Sequence, residues 1–175
     1  RRKNVLEAGM LARMTGDAAV GVTLPPSSAT EALYHSQVST LFRDGTLPGR
    51  IGCGSQPRFH NCSLANIAAG SHAVISSSIE EGFGYQYLHA QQWNLPLIAR
   101  DIETVDGFRD LLDTRSTVLY NHIWCPLPSH ERKHLASLYH ARLQRLRPFV
   151  PQSTMSDLTD QVAAVTGHPL VDYSY

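Results

Sequence analysis

The sequence predicts an α/β fold: a doubly wound, mostly parallel sheet, followed by extra C-terminal helices. Three observations carry this expectation. Short apolar or β-branched runs alternate with stretches of helical spacing up to residue 120. The best defined of these is a strand-loop-helix unit, in which Ala73-Val74-Ile75 leads through a serine- and glycine-containing loop into a helix ending near Asn94. From residue 129 onward the pattern reads as two helices and a short aromatic tail.

The elements follow in order. Asn4 is placed to cap a first helix whose apolar positions Val5, Leu6, Met10, Leu11 and Met14 recur at helical spacing, and Gly16 ends it. Residues 18–24 read as a strand stopped by Pro25-Pro26, and residues 29–42 as a helix burying Leu33, Val38 and Leu41. Arg50-Ile51-Gly52-Cys53 is a short strand. Gly52-Cys53-Gly54 lacks the third glycine of a dinucleotide fingerprint and is read as a turn. Residues 64–70 form a short helix before the central strand. Residues 96–99 make the next strand, and Arg100 and Asp101 leave its carboxyl edge, where open α/β sheets bind ligands. Arg100 then either meets a ligand or forms a surface ion pair with Asp101 or Glu103. Residues 117–120 are expected to be the last strand and residues 121–129 irregular. Ser129 is expected to cap a helix to Arg147, with a further helix over residues 153–165 and an aromatic tail, Tyr173-Ser174-Tyr175. These last helices are expected to expose apolar residues such as Leu158 and Val162. The expected organisation is one domain, with a core over residues 1–125 and a helical extension over 126–175.

Composition bounds the function. A chain of 175 residues that is 42% hydrophobic can bury one domain. Fifteen Lys plus Arg balance fifteen Asp plus Glu, so no net field recruits nucleic acid or an anionic membrane. No apolar run approaches the roughly 20 residues of a membrane span, and the start Arg1-Arg2-Lys3-Asn4 has neither an initiator Met nor a signal-peptide core. The chain therefore reads as a fragment. Three unevenly spaced cysteines, Cys53, Cys62 and Cys125, make no disulfide framework and fit a reducing, cytoplasmic setting. With His60 and His122 they lack the close Cys-x-x-Cys pairing of strong zinc motifs, so no metal is assigned. Asn61-Cys62-Ser63 matches a glycosylation sequon by letter alone.

The chemistry concentrates in the central loop, Ser76-Ser77-Ser78-Ile79-Glu80-Glu81-Gly82-Phe83-Gly84. Gly82 and Gly84 let the backbone turn tightly and present N–H groups to an anion, and the helix that follows adds partial positive charge. Glu81 stands at the lip of that site. A carboxylate repels phosphate unless it faces another part of the ligand, so the combination suits a ligand carrying both phosphate and hydroxyls, such as a nucleotide sugar.

This loop, with the helix after it and Asn94-Leu95-Pro96-Leu97-Ile98 beyond, resembles the donor-binding C-terminal half of retaining GT-B glycosyltransferases (glycosyl transferases group 1). Their pattern runs Glu-Gly-Phe-Gly and closes with a second Glu eight residues after the first. The first acid matches Glu81, and the second falls on His89, where this chain departs from the pattern. The resemblance covers about residues 1–125. It implies a Rossmann-like fold and a nucleotide-sugar donor as substrate, with no separate cofactor. Glu81 would be the catalytic residue, near the transferring sugar, and Ser78, Gly82, Phe83, Gly84 and His89 would contact the donor. Lys3 matches the lysine that reaches the diphosphate at the start of the first helix, Arg2 is a candidate for the family's nearby arginine, and Arg100 would touch the donor from the sheet edge. The resemblance also implies a separate N-terminal Rossmann-like domain that holds the acceptor.

Two function classes follow. One is the donor domain of a retaining, hexosyltransferase-like enzyme, inactive as an isolated piece. The other is a catalytically degenerate GT-B-like binding or scaffolding module that keeps the fold. A serine hydrolase is disfavoured because no Gly-x-Ser-x-Gly elbow is present.

Overall fold

The computed structural model describes residues 3–23, 32–59 and 61–172. The chain divides into two compact units, residues 1–121 and 122–175.

In the first unit strands and helices alternate as the sequence predicts: α1 (Val5–Thr15), β1 (Val20–Val22), α2 (Ala32–Arg43), β2 (Gly49–Ile51), α3 (Leu64–Ala68), β3 (Val74–Ser76), α4 (Tyr85–Gln92), β4 (Leu97–Arg100), α5 (Glu103–Asp106) and β5 (Thr117–Tyr120). Among the described residues every strand pairing in this unit is parallel. β1 lies on β2 with Val20 opposite Gly49, and β3-β4-β5 form a three-stranded sheet with Ile75, Ile98 and Val118 in register. Parallel neighbours need a crossover, and α2, α4 and α5 supply them. The architecture is α/β and compatible with a doubly wound, Rossmann-like fold.

Two hydrophobic clusters hold the unit. Tyr87, Ala90, Leu97, Ala99, Val105 and Leu112 form one beside the three-stranded sheet, and Val38, Phe42 and Leu47 form the other, packed by Val5, Leu6, Met10, Leu41 and Ile51. Helix α1 buries Glu7, Ala8, Gly9 and Ala12, while Met14 is exposed, contrary to the sequence expectation. Small residues explain the change of face. A Cβ on Gly9 would come within 2.9 Å of Leu47 and Phe42, so the helix approaches its neighbours too closely for large side chains there. Asn4 also departs from expectation. It precedes α1 in the left-handed region, at φ 42° and ψ 51°, and its side chain caps nothing. Its amide instead donates to the Glu7 carboxylate at 2.6 Å. Leu33, expected on the buried face of α2, is exposed because Val38 and Phe42 already fill that face. Ser63 caps α3, its hydroxyl accepting from the Asn66 N–H. Pro25-Pro26, Arg2, His60 and Tyr173–Tyr175 lie outside the described residues.

The second unit is not helical throughout. Within the segment expected to be irregular, β6 (Trp124–Pro126) pairs antiparallel with β7 (Leu170–Asp172). Helices α6 (Ser129–Leu146) and α7 (Gln152–Gly167) lie between them in sequence. Pro128, not Ser129, occupies the cap position of α6, and Pro151 that of α7. Proline suits these starts because its fixed φ and missing N–H cost nothing there. Leu158 and Val162 are half-buried; the exposed large apolar residues of this unit include Leu138, Leu146, Phe149 and Val165. Among the described residues no helix is long and apolar enough to cross a membrane.

Candidate functional site

Three buried serines end β3 and open the loop: Ser76, Ser77 and Ser78 are each 3% exposed or less. The chain then reaches the surface at Glu80, passes Glu81 and turns into α4 through Gly84, whose φ is +65°. Glycine is required there twice over, since a side chain would be strained at that φ and its Cβ would lie 2.5 Å from the Phe108 ring. Above this turn lies an open pocket of about 410 Å³, lined by Lys3, Glu81, Gly82, Phe83, Gly84, Tyr85 and Gln86.

The pocket joins segments nearly eighty residues apart in sequence. Lys3, half exposed, donates from Nζ to Oε1 of Glu81, whose side chain is 9% exposed. The main chain at Glu81 is fixed separately, its carbonyl accepting from the Thr104 hydroxyl at 2.9 Å. Gln86 reaches back from the first turn of α4 to donate to the Ile75 carbonyl at 3.1 Å. A cation, a carboxylate and the amino end of a helix thus converge on one opening, a set able to hold an anion and hydroxyl groups together.

A buried polar network ties α1 to β4 and β5. Glu7, with no exposed surface, accepts from Arg100 at both oxygens, Nε to Oε1 at 3.1 Å and Nη2 to Oε2 at 2.5 Å. Tyr120 donates to Oε1 at 2.7 Å, and Arg100 also donates to the Asn121 carbonyl. Burial, and then the hydrogen bond to the Glu7 carboxylate, push the Tyr120 phenol well above its ordinary range. Burial likewise raises the phenol of Tyr87, which donates to the Arg100 carbonyl at 2.9 Å. The surface ion pair anticipated for Arg100 is therefore replaced by a buried one. Asp101 instead receives Arg109 at 2.6 Å, because Arg109 is the arginine near the surface.

Of the residues singled out from sequence, the structure brings Lys3, Glu81, Gly82, Phe83 and Gly84 together. Ser78 is 1% exposed and does not line the pocket. His89 lies one turn into α4, its ring stacked between Tyr85 and Trp93 at 6.3 and 5.2 Å, also outside the lining. Arg100 is held by Glu7, and Arg2 lies outside the described residues. Sequence reasoning missed Ser77, Thr104, Gln86 and Glu7. Only Glu7 carried a signal, as an acid among the apolar positions of α1.

Comparison with known proteins adds one relative. The chain is 23% identical over 175 residues to mannosylglucosyl-3-phosphoglycerate synthase of Petrotoga mobilis, an alignment taking in all of this chain and 33% of that protein. The chain thus spans about a third of its relative's length. No family model matches the chain, and no solved structure matches it significantly.

Proposed function

We propose that this chain is the donor-binding part of a retaining glycosyltransferase that takes a nucleotide sugar. The observation that carries the reading is the pairing of Lys3 with Glu81 at the mouth of the pocket formed by Glu81-Gly82-Phe83-Gly84. The distant similarity to mannosylglucosyl-3-phosphoglycerate synthase supports glycosyl transfer in general. In this reading the diphosphate lies against the amides of Gly82, Phe83 and Gly84 and the Lys3 ammonium. Glu81 faces the transferring sugar. As the bond from sugar to diphosphate breaks, negative charge grows on the leaving phosphate. Lys3 and the amino end of α4 oppose that charge more strongly in the transition state than in the ground state. Lys3, half exposed, would leave Glu81 to do so, and the Glu81 carboxylate, only 9% exposed, would exchange that partner for the hydroxyls of the bound sugar. The acceptor would be held by a further domain.

Titration calorimetry with UDP and GDP tests the reading. One of them is expected to bind, and Lys3→Ala is expected to weaken it roughly tenfold, the loss of one charge-assisted contact. In the full-length protein Glu81→Gln should abolish most transfer while leaving the melting temperature nearly unchanged. Binding of neither nucleotide, or full transfer by Glu81→Gln, would overturn it. The position of His89, stacked outside the pocket lining where the family pattern has an acid, favours a second reading: a binding module without chemistry. Nucleotide binding without transfer in the full-length protein would select it.

A further inference from the structure

We propose that Glu7, which does not line the pocket, is a positioning residue for it, acting through Asn4 and Ser77 to set Lys3 beside Glu81. The proposal rests on the donor-site reading only for its ligand; the geometry stands apart from it. Asn4 is 3% exposed and held at φ 42°, a conformation that asparagine tolerates but that something must stabilise. The Glu7 carboxylate supplies that stabilisation, accepting from Asn4 Nδ2 at 2.6 Å. Glu7 cannot swing away from Asn4, because Arg100 and Tyr120 fix its two oxygens in place.

The left-handed turn at Asn4 brings two successive carbonyls to one hydroxyl. Ser77 Oγ lies 3.1 Å from the Lys3 carbonyl and 2.9 Å from the Asn4 carbonyl, and shares its single hydrogen between them. Ser77 itself is 3% exposed, at the root of the loop that carries Glu81. The backbone of Lys3 is therefore tied to the loop that it faces. Without the turn, the Lys3 side chain would leave the backbone ahead of α1 in another direction and its ammonium would be one more solvated cation. Preorganisation of this kind matters because small displacements of a charged group at a reacting centre are costly.

The sequence makes the test clean, since it contains two lysines, Lys3 and Lys133. Reductive ¹³C-methylation gives each dimethyl-lysine its own NMR signal, with Lys133 as the internal control. Glu81→Gln defines where the Lys3 signal lies once its carboxylate is gone. Glu7→Gln is expected to move the Lys3 signal most of the way to that position and to leave Lys133 unmoved. Ser77→Ala, which keeps the buried Glu7–Arg100 pair intact and so stays folded, is expected to move it in the same sense. An unmoved Lys3 signal in folded Glu7→Gln and in Ser77→Ala overturns the proposal, whatever the protein binds; if Glu7→Gln does not fold, Ser77→Ala decides alone.

Titration with UDP, GDP and inorganic pyrophosphate then reads the consequence. Glu7→Gln should weaken the probe that binds by about the factor that Lys3→Ala does, roughly tenfold. The double variant should be no weaker than the worse single one, because both changes remove one contact. Additive losses would show that Glu7 acts by another route and overturn it. Absence of binding in the wild-type protein would overturn the donor-site reading while leaving the NMR result to decide on Glu7.

Discussion

Glu7 and Arg100 meet through two hydrogen bonds in a site that leaves Glu7 no exposed surface, tying the first helix to the fourth strand across 93 residues of chain. The pair stands where the sequence reading expects Arg100 to meet a ligand or a surface carboxylate, Asp101 or Glu103. Its energetic meaning is asymmetric. Two charges removed from water lose most of what their attraction returns, whereas one buried charge without its partner is strongly destabilising.

Removing Arg100 alone should therefore be costly and removing both charges should not. Arg100→Met is expected to lower stability by about 3–5 kcal/mol. Glu7→Leu combined with Arg100→Met should recover most of that loss, though Tyr120 and Asn4 lose a hydrogen-bond acceptor. Urea midpoints of the three proteins check this; a double variant as unstable as the single would show that the pair contributes net stability.

Arg109 makes the opposite case. It bridges Asp101 and Asp106, and these carboxylates raise its already high pKa, but 43% of its side chain is in water. Arg109→Ala is expected to leave stability nearly unchanged, because solvent screens a pair this exposed. A loss comparable to that of Arg100→Met in the same urea titration would contradict this ranking of the two arginines.

Gly84 sits under two independent constraints, the left-handed backbone and the Phe108 ring. Gly84→Ala should cost about 2–4 kcal/mol, the sum of a strained φ and a steric overlap. Phe108→Ala makes room for the added methyl, so it should cost less in the Gly84→Ala background than alone. A thermal-melt double-mutant cycle reads that coupling, and strict additivity would remove the clash from the account.

These two sites show what the sequence carried. The loop Glu81-Gly82-Phe83-Gly84 was legible because its chemistry is local: glycines at a turn, an acid beside them, a helix after. The order of strands β1 to β5 was legible for the same reason, since each is a short apolar run between turn signals. Illegible features depend on residues far apart. Nothing in Glu7 says that Arg100 will neutralise it, so its burial on α1 was not foreseen, although Val5, Leu6 and Met10 do pack against the core. Helix α5 escaped because its four residues are too few to show a period, and β6 because three residues beside a proline read as loop. Lys3 was legible as a charge, but not the turn at Asn4 that aims it.

The final prediction concerns alkaline pH and follows from Tyr120. Its hydroxyl donates to the Glu7 carboxylate at 2.7 Å, and burial together with that carboxylate opposes ionisation. In the unfolded chain the same phenol ionises near its ordinary value of 10.0. Below that pH both states hold the proton and the contribution is complete. Above it the unfolded state releases the proton while the folded state keeps it, so the unfolded state binds fewer protons and stability falls as pH rises. The limiting slope is about 1.4 kcal/mol per pH unit for one such group, and less in practice because water reaches the half-buried ring. Tyr87, raised in the same direction by burial, adds to the effect. Urea midpoints measured from pH 9 to 11.5 should therefore decline in the wild-type protein, decline less in Tyr120→Phe, and least in Tyr87→Phe/Tyr120→Phe. Phenylalanine at 120 should also cost about 1.5–3 kcal/mol at pH 7, where Glu7 loses a donor. Absorbance at 295 nm gives an independent reading: of the seven tyrosines, Tyr87 and Tyr120 should ionise only as the protein unfolds. Ionisation of all described tyrosines near pH 10 in the folded protein would show that Tyr120 does not hold its proton on Glu7.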